Sequence, residues 1–350
     1  MDNQRLLVWA FFGLMAWITY QTWMQDYGPR PTPPAAEQSA LEAPAPTTPG
    51  IDDDLPEISV QGNDDALPAA PGEPAVETAA PRAPAVRVTT DVLDVEISTR
   101  GGTLERATLT NYPVAKDQPD TLVQLLSRDP DSLGLIESGL RALDGAPEAT
   151  HLSTFESPRD SYDLGNAEEL VVVLSWSDPA GVVVEKRYRF SKGSYVIHLE
   201  QVVTNGSAAA WRGAEYLRIK RYSRAQERSM FDVDSYSFAG PIVYDGEKSQ
   251  KLKRDDLLDD GAYEYSATQG WFGAIQHHFV TAVVPPAGED FKFQVAVKGG
   301  VSTSSSIGRN VTTVAPGTSE TFTATLFVGP KLQAQLEEID KSLKLTVDYG

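Results

Sequence analysis

VVVEKRYRFSKGSYVIHLEQVV, residues 182–203, decides the fold. Val182, Val184, Tyr188 and Phe190 alternate with Val183, Glu185, Arg187 and Arg189; further on, Tyr195, Ile197, Leu199 and Val203 alternate with Val196, His198, Glu200 and Val202. Apolar side chains at every second position line one face of an extended chain, so each run is a strand with one buried face. The pattern recurs. Phe291, Phe293, Val295 and Val297 alternate with Lys292, Gln294, Ala296 and Lys298, and Phe322, Ala324, Leu326 and Val328 with Thr321, Thr323, Thr325 and Phe327. Turn sequences separate the runs: Arg100-Gly-Gly102, Asp178-Pro-Ala-Gly181, Asn205-Gly206, Asp245-Gly246, Lys298-Gly-Gly300 and Pro316-Gly317. Many short strands with hairpin-type turns imply antiparallel sheets packed face to face, not a parallel sheet flanked by helices. Residues 85–330 are therefore expected to form a mainly β domain, a large antiparallel sandwich.

Helical spacing is clear only near the end of the chain. After Gly329-Pro330, Leu332, Leu336, Ile339 and Leu343 recur at +4, +3 and +4 among polar residues, which predicts a short amphipathic helix in a 331–350 connector. A helix this short is marginal alone, so its stripe must be covered, by the β domain, a membrane surface or a partner. A second helical piece is expected around Asp131–Leu143.

Upstream, two segments have different physics. Residues 1–24 carry only Asp2 and Arg5, and the stretch Leu6–Met24 has no charge. At a rise of 1.5 Å per residue it spans roughly 28 Å, close to the hydrocarbon thickness of a bilayer. Bulky Tyr20, Trp23, Met24 and Tyr27 follow where a cleavable signal needs small residues, so the segment reads as an uncleaved signal-anchor. Arg5 places the amino terminus in the cytoplasm by the positive-inside rule, and Trp9, Trp17, Trp23 and Tyr27 are candidate contacts with membrane lipid. Residues 25–84 hold 13 of the 24 prolines, with eleven acids against Arg30 and Arg82. Such a stretch cannot bury enough apolar surface to offset its ordering entropy, so a disordered, self-repelling tether is expected.

Composition narrows the chemistry. The chain has 350 residues, a net charge of −19 and no cysteine, which excludes disulfides, thiolate metal sites, cysteine nucleophiles and lipobox acylation. With 30 Lys and Arg against 49 Asp and Glu, nucleic acid is not an expected partner. Phosphate loops, dinucleotide loops, hydrolase elbows and zincin motifs are absent. His277 and His278 fall in a stretch that reads as a strand, where neighbours point to opposite faces and cannot share a metal. No catalytic residue, cofactor or metal is predicted. One basic run, Arg218, Lys220, Arg221, Arg224 and Arg228, is a candidate partner surface, with strand alternation placing Arg218 and Lys220 beside Tyr216 and Tyr222.

Several stretches together resemble one family. The opening Met1-Asp-Asn-Gln-Arg5, the acidic Pro/Ala-rich tether, Thr90-Asp-Val-Leu-Asp-Val-Glu-Ile-Ser-Thr-Arg-Gly-Gly-Thr-Leu104, Gln269-Gly-Trp-Phe-Gly273, Phe327-Val-Gly-Pro330 and Leu343-Lys-Leu-Thr-Val-Asp-Tyr-Gly350 look like the YidC-type membrane protein insertases of Gram-negative bacteria. The resemblance covers the first transmembrane helix and the large periplasmic domain. It implies a twisted β-sandwich similar to sugar-mutarotase folds, an inner-membrane location, and partners among Sec translocon components including the SecD–SecF complex. Newly made inner-membrane proteins would be the clients of the full protein. The family's further membrane helices, which carry its insertion groove, have no counterpart in these 350 residues, so no insertase groove residue carries over.

Two functions follow as expectations. In the first, the anchored β domain docks partners and supports an insertase, and the stripe Leu332, Leu336, Ile339 and Leu343 couples it to the membrane part. In the second, it is an anchored periplasmic carbohydrate-binding or aldose-epimerase-like sandwich, for which His198 with Glu200, or His277 with Glu264, are the candidate groups.

Overall fold

The structure is a computed structural model describing Trp17, residues 83–223 and residues 238–347. Arg5, Trp9, Trp23, Tyr27, Arg224, Arg228 and residues 25–82 of the expected tether lie outside the described residues; Trp17 is helical and exposed. Among the described residues no helix is long and apolar enough to cross a membrane.

The strands run in the order β1 (Ala85–Thr89), β2 (Leu93–Ser98), β3 (Leu104–Ala115), β4 (Gln118–Leu126), β5 (Gly134–Ala142), β6 (Ser161–Asp163), β7 (Glu169–Ser177), β8 (Val182–Ser191), β9 (Val196–Asn205) and β10 (Trp211–Tyr222). They continue with β11 (Gly240–Tyr244), β12 (Ser249–Lys251), β13 (Tyr263–Ala267), β14 (Trp271–Gln276), β15 (Phe279–Val284), β16 (Phe291–Lys298), β17 (Val301–Gly308), β18 (Thr312–Val314) and β19 (Ser319–Pro330). The first sheet has the order β13-β16-β17-β10-β5-β3-β2-β1-β6, with β4 added to β3 and β18 to β10; the second has the order β12-β11-β14-β15-β19-β9-β8-β7. Pairing is antiparallel apart from β1 with β6.

The alternation places the core as expected. Val95, Ile97, Leu217, Ile219, Phe293 and Val295 of the first sheet and Tyr188, Phe190, Ile197, Leu199, Phe272 and Leu326 of the second belong to one buried cluster. Each such side chain contributes about 1.5–3 kcal/mol by leaving water. Turn chemistry also holds: Lys298-Gly-Gly300 closes the β16–β17 hairpin with both glycines at positive φ.

Two expectations fail. Asp131–Leu143 is no helix: a 3-10 turn at Pro130–Ser132 leads straight into β5. This strand is central, so both of its faces are buried, and period-two patterning vanishes where both faces need to be covered. His277 and His278 form not a strand but the tip of the β14–β15 hairpin, with Gln276 opposite Phe279 and His277 at φ 28°. Their rings lie 3.8 Å apart, centroid to centroid.

The turn Arg100-Gly-Gly102 joins β2 to β3 in the left-handed region, Gly101 at φ 72° and Gly102 at 65°. A Cβ on Gly101 would stand 2.2 Å from the His151 carbonyl oxygen, whereas one on Gly145, at φ 69°, would meet nothing within 4 Å. The two glycines separate conformational strain from collision. Gly145→Ala is expected to cost about 1 kcal/mol and Gly101→Ala at least about 3 kcal/mol, read from urea midpoints. Equal costs would show that the turn relaxes around the added methyl.

Candidate functional site

The terminal segment is built to dock, not to stand free. Lys331 donates its backbone N–H to the His278 carbonyl at 2.9 Å, so the chain leaves β19 under the β14–β15 hairpin. The helix is Gln333–Ile339, and it ends because Asp340 turns extended at φ −153°. The Asp340 carboxylate then accepts from the Ser342 N–H at 2.7 Å and from the Ser342 hydroxyl, starting a 3-10 turn at Leu343–Thr346. The single expected helix is thus two pieces. Its stripe divides accordingly: Leu336 and Leu343 are 0% exposed, Ile339 is half-buried and Leu332 is 42% exposed.

The segment is bonded to the second sheet. Phe272 on β14 meets Phe293 of the first sheet edge-on at 6.3 Å, so the intervening Trp271 and Gly273 point outward. Trp271 stacks on Tyr244 at 5.9 Å and donates its indole N–H to Ser342 Oγ at 2.7 Å, while remaining fully buried. The Lys331–His278 and Trp271–Ser342 hydrogen bonds therefore fix the terminal segment to the second sheet, and Leu336 and Leu343 belong to the buried cluster.

The basic run behaves differently from the expectation of a partner surface. Tyr216, Arg218, Lys220 and Tyr222 do share one face of β10, but Arg218 is 4% exposed and donates to Glu137 on β5, its register partner. Arg221 turns to the other side, donates to the Leu125 carbonyl at 3.1 Å and is pushed down to about 10 by burial. Burial pushes the Glu137 carboxyl up, but Arg218, Lys220 and His151 outweigh it and leave it near 2. Next to this pair, His151 Nδ1 lies 2.6 Å from the Tyr216 hydroxyl, and Arg141 Nε donates to Glu148 at 3.0 Å. These charges neutralise one another inside the domain, so Arg218 is corrected from docking residue to buried structural pair.

Sequence reasoning missed the charge at the centre. Lys186 is fully buried between the sheets, its Nζ donating to Gly101 O at 2.6 Å and to Ser138 O and Oγ at 2.7 Å, with the Phe155 ring 5.1 Å away. Tyr188 donates its hydroxyl to Gly102 O. The signal was present: Lys186 occupies the inward phase of VVVEKRYRF. Burial lowers it to about 7 against Glu215 and Glu137. Glu215, which accepts from Gln201 Nε2 at 2.7 Å, is raised by burial to about 8.

Neither histidine pair forms a catalytic arrangement. His198 and Glu200 share the outer face of β9 in a shallow groove of about 380 Å³, where Arg189 Nη2 stands 3.5 Å from Glu200 and Thr325 Oγ1 stands 3.4 Å from His198 Nδ1. Glu264 is on the other sheet, held by Lys292 at 3.0 Å and Gln294 at 2.7 Å, not by His277. A larger groove of about 720 Å³ is lined by Arg221, Tyr222, Phe238, Pro241, Arg254 and Ile275 among others, with no histidine. Among the described residues no His, Asp or Glu group could hold a metal ion.

The model of the YidC periplasmic domain matches residues 85–350. The chain belongs to that family. Proteins named membrane protein insertase YidC from Thioalkalivibrio sulfidiphilus and Methylococcus capsulatus are each 35% identical over the whole chain, and one from Coxiella burnetii is 32% identical. The chain spans 61–62% of the length of these relatives. Among solved structures, a galactose mutarotase related enzyme from Lactobacillus acidophilus gives a TM-score of 0.46 at 9% identity, covering 70% of this chain and 97% of its own. A galactose mutarotase-like protein from Lactobacillus casei gives 0.44 at 11%, covering 70% and 99%. The domain is a mainly β, two-sheet sandwich in the YidC periplasmic domain family.

Raised from its ordinary 4.5, Glu215 contributes stability that is complete below pH 4.5 and is lost as pH rises through about 8. Gln201, Glu289 and Lys186 set its surroundings. Glu215→Gln keeps an acceptor for Gln201 and removes the titration. The variant is expected to gain on the wild type between pH 5 and pH 8 by about 3 kcal/mol, measured as the difference of urea unfolding energies. An unchanged difference would mean that Glu215 titrates in its ordinary range.

Proposed function

We propose that the chain is the anchored periplasmic part of a membrane protein insertase, a support and docking module with no catalytic reaction of its own. The family match over 85–350 carries this reading. In it, residues 1–24 anchor the protein in the inner membrane with a cytoplasmic amino terminus, and residues 25–84 tether the sandwich. The client class is newly made inner-membrane proteins, and Sec translocon components including the SecD–SecF complex are the docking partners. Supporting the mechanical role, Leu336 and Leu343 are fully buried and Trp271 of the second sheet donates to Ser342 of the terminal segment. A force or displacement on that segment is therefore transmitted to the sandwich, not absorbed by a loose linker.

The test uses an insertase of the relatives' full length carrying this domain. Leu336→Ser combined with Leu343→Ser removes two fully buried side chains and is expected to cost about 4–8 kcal/mol of docking of the segment. Client insertion, followed by protease protection, should fall while the β-sheet circular dichroism of the sandwich persists. Full insertion with a demonstrably released segment would remove the coupling role. Co-purification of SecD–SecF with and without residues 85–347 tests the docking role separately.

A further inference from the structure

The second sheet ends on β12, of three residues, at one side and on β7, of nine, at the other. Exposed sheet edges are normally blunted by proline, lysine, a bulge or brevity. Strand β7, Glu169-Leu-Val-Val-Val-Leu-Ser-Trp-Ser177, has none of these, and its register with β8 is unbroken from Glu169 opposite Ser191 to Ser177 opposite Val183. Ser175 shows which groups face outward: its N–H and C=O bond to Glu156 at 2.9 and 2.8 Å, away from β8. By strand alternation Val171 and Val173 point their N–H and C=O groups the same way. Among the described residues, no hydrogen bond fills them.

The sequence around these groups is a palindrome, Leu170-Val-Val-Val-Leu174. We propose that β7 pairs antiparallel with β7 of a second copy, about a two-fold axis through Val172. Leu170 then meets Leu174, Val171 meets Val173 and Val172 meets itself, so every contact joins side chains of equal or nearly equal size. Glu169, already 3.0 Å from Arg189, falls opposite Ser175, and no like charges face each other. Because Glu156 already occupies the edge of Ser175, the ladder stops there at both ends. So short a ladder buries far less than the roughly 1,200 Å² of a standard interface, and the pairing is reversible.

The absence of native cysteine makes the register directly readable. Val171 is 37% exposed and Val173 half-buried, so Val171→Cys and Val173→Cys are mild changes, verified by thermal unfolding. The full 350-residue chain in detergent is oxidised as each variant alone and as an equal mixture. Residue 171 opposes residue 173 across the axis, so the mixture should give several-fold more disulfide-linked dimer than either variant alone. Equal yields in all three samples, or no linked dimer in any, overturn the proposal.

Discussion

One buried ammonium holds the two sheets in register with each other. Lys186 reaches from β8 across the core, and its three N–H groups meet three oxygens, one from the turn before β3 and two from Ser138 on β5. An isolated charge there would cost several kcal/mol, so the site is tolerable only because every donor is filled. The filling in turn fixes the backbone. Gly101 and Gly102 must adopt positive φ to bring their carbonyls to Lys186 and Tyr188, and a side chain on Gly102 would stand 2.9 Å from the lysine stem. The Thr-Arg-Gly-Gly stretch is therefore the local consequence of a charge 85 residues away.

The same logic governs the first sheet. Glu137 and Arg218 sit opposite each other on β5 and β10, where a slip of one residue would carry each charge to the other face and leave it without its partner. Buried pairs add little net stability compared with apolar packing, but they penalise wrong registers heavily. Long central strands such as β5 and β10, nearly continuous in burial, lack the alternation that usually sets register, so polar pairing supplies it.

This division explains what the sequence could reveal. Strands with one wet face, such as β8, β9, β16 and β19, announce themselves by alternation, and they made the sandwich legible. Strand β5 did not, because both of its faces are dry. Lys186 was passed over because an inward lysine contradicts the rule that charges face water, and its oxygen partners lie far away in sequence. Arg218 looked like surface for the same reason. The stripe of the terminal segment was legible, but its break at Asp340 was not, since the bonds of Ser342 to the Asp340 carboxylate and to the indole of Trp271 come from geometry, not spacing.

The outer face of the second sheet shows how one layer serves two purposes. Over β11 and β14 the outward residues are large and apolar or very small, Trp271 beside Gly273, and the terminal segment covers them. Over β7, β8 and β9 they include Glu169, Glu185, Arg187, Arg189, His198 and Glu200 beside Val171 and Val173, with ion pairs such as Arg187 with Glu185 at 2.7 Å and Arg189 with Glu169 at 3.0 Å. Exposed pairs of this kind contribute little stability, and they keep the face soluble without cover. The boundary falls at β19, where outward Thr323 and Thr325 give way to buried Phe327 within two residues. A terminal segment that drifted toward β8 would bury charges without replacement for their water, while one lost altogether would leave the Trp271 indole N–H without Ser342. Position along the face is thus fixed from both sides, by what the segment must cover and by what it cannot afford to cover.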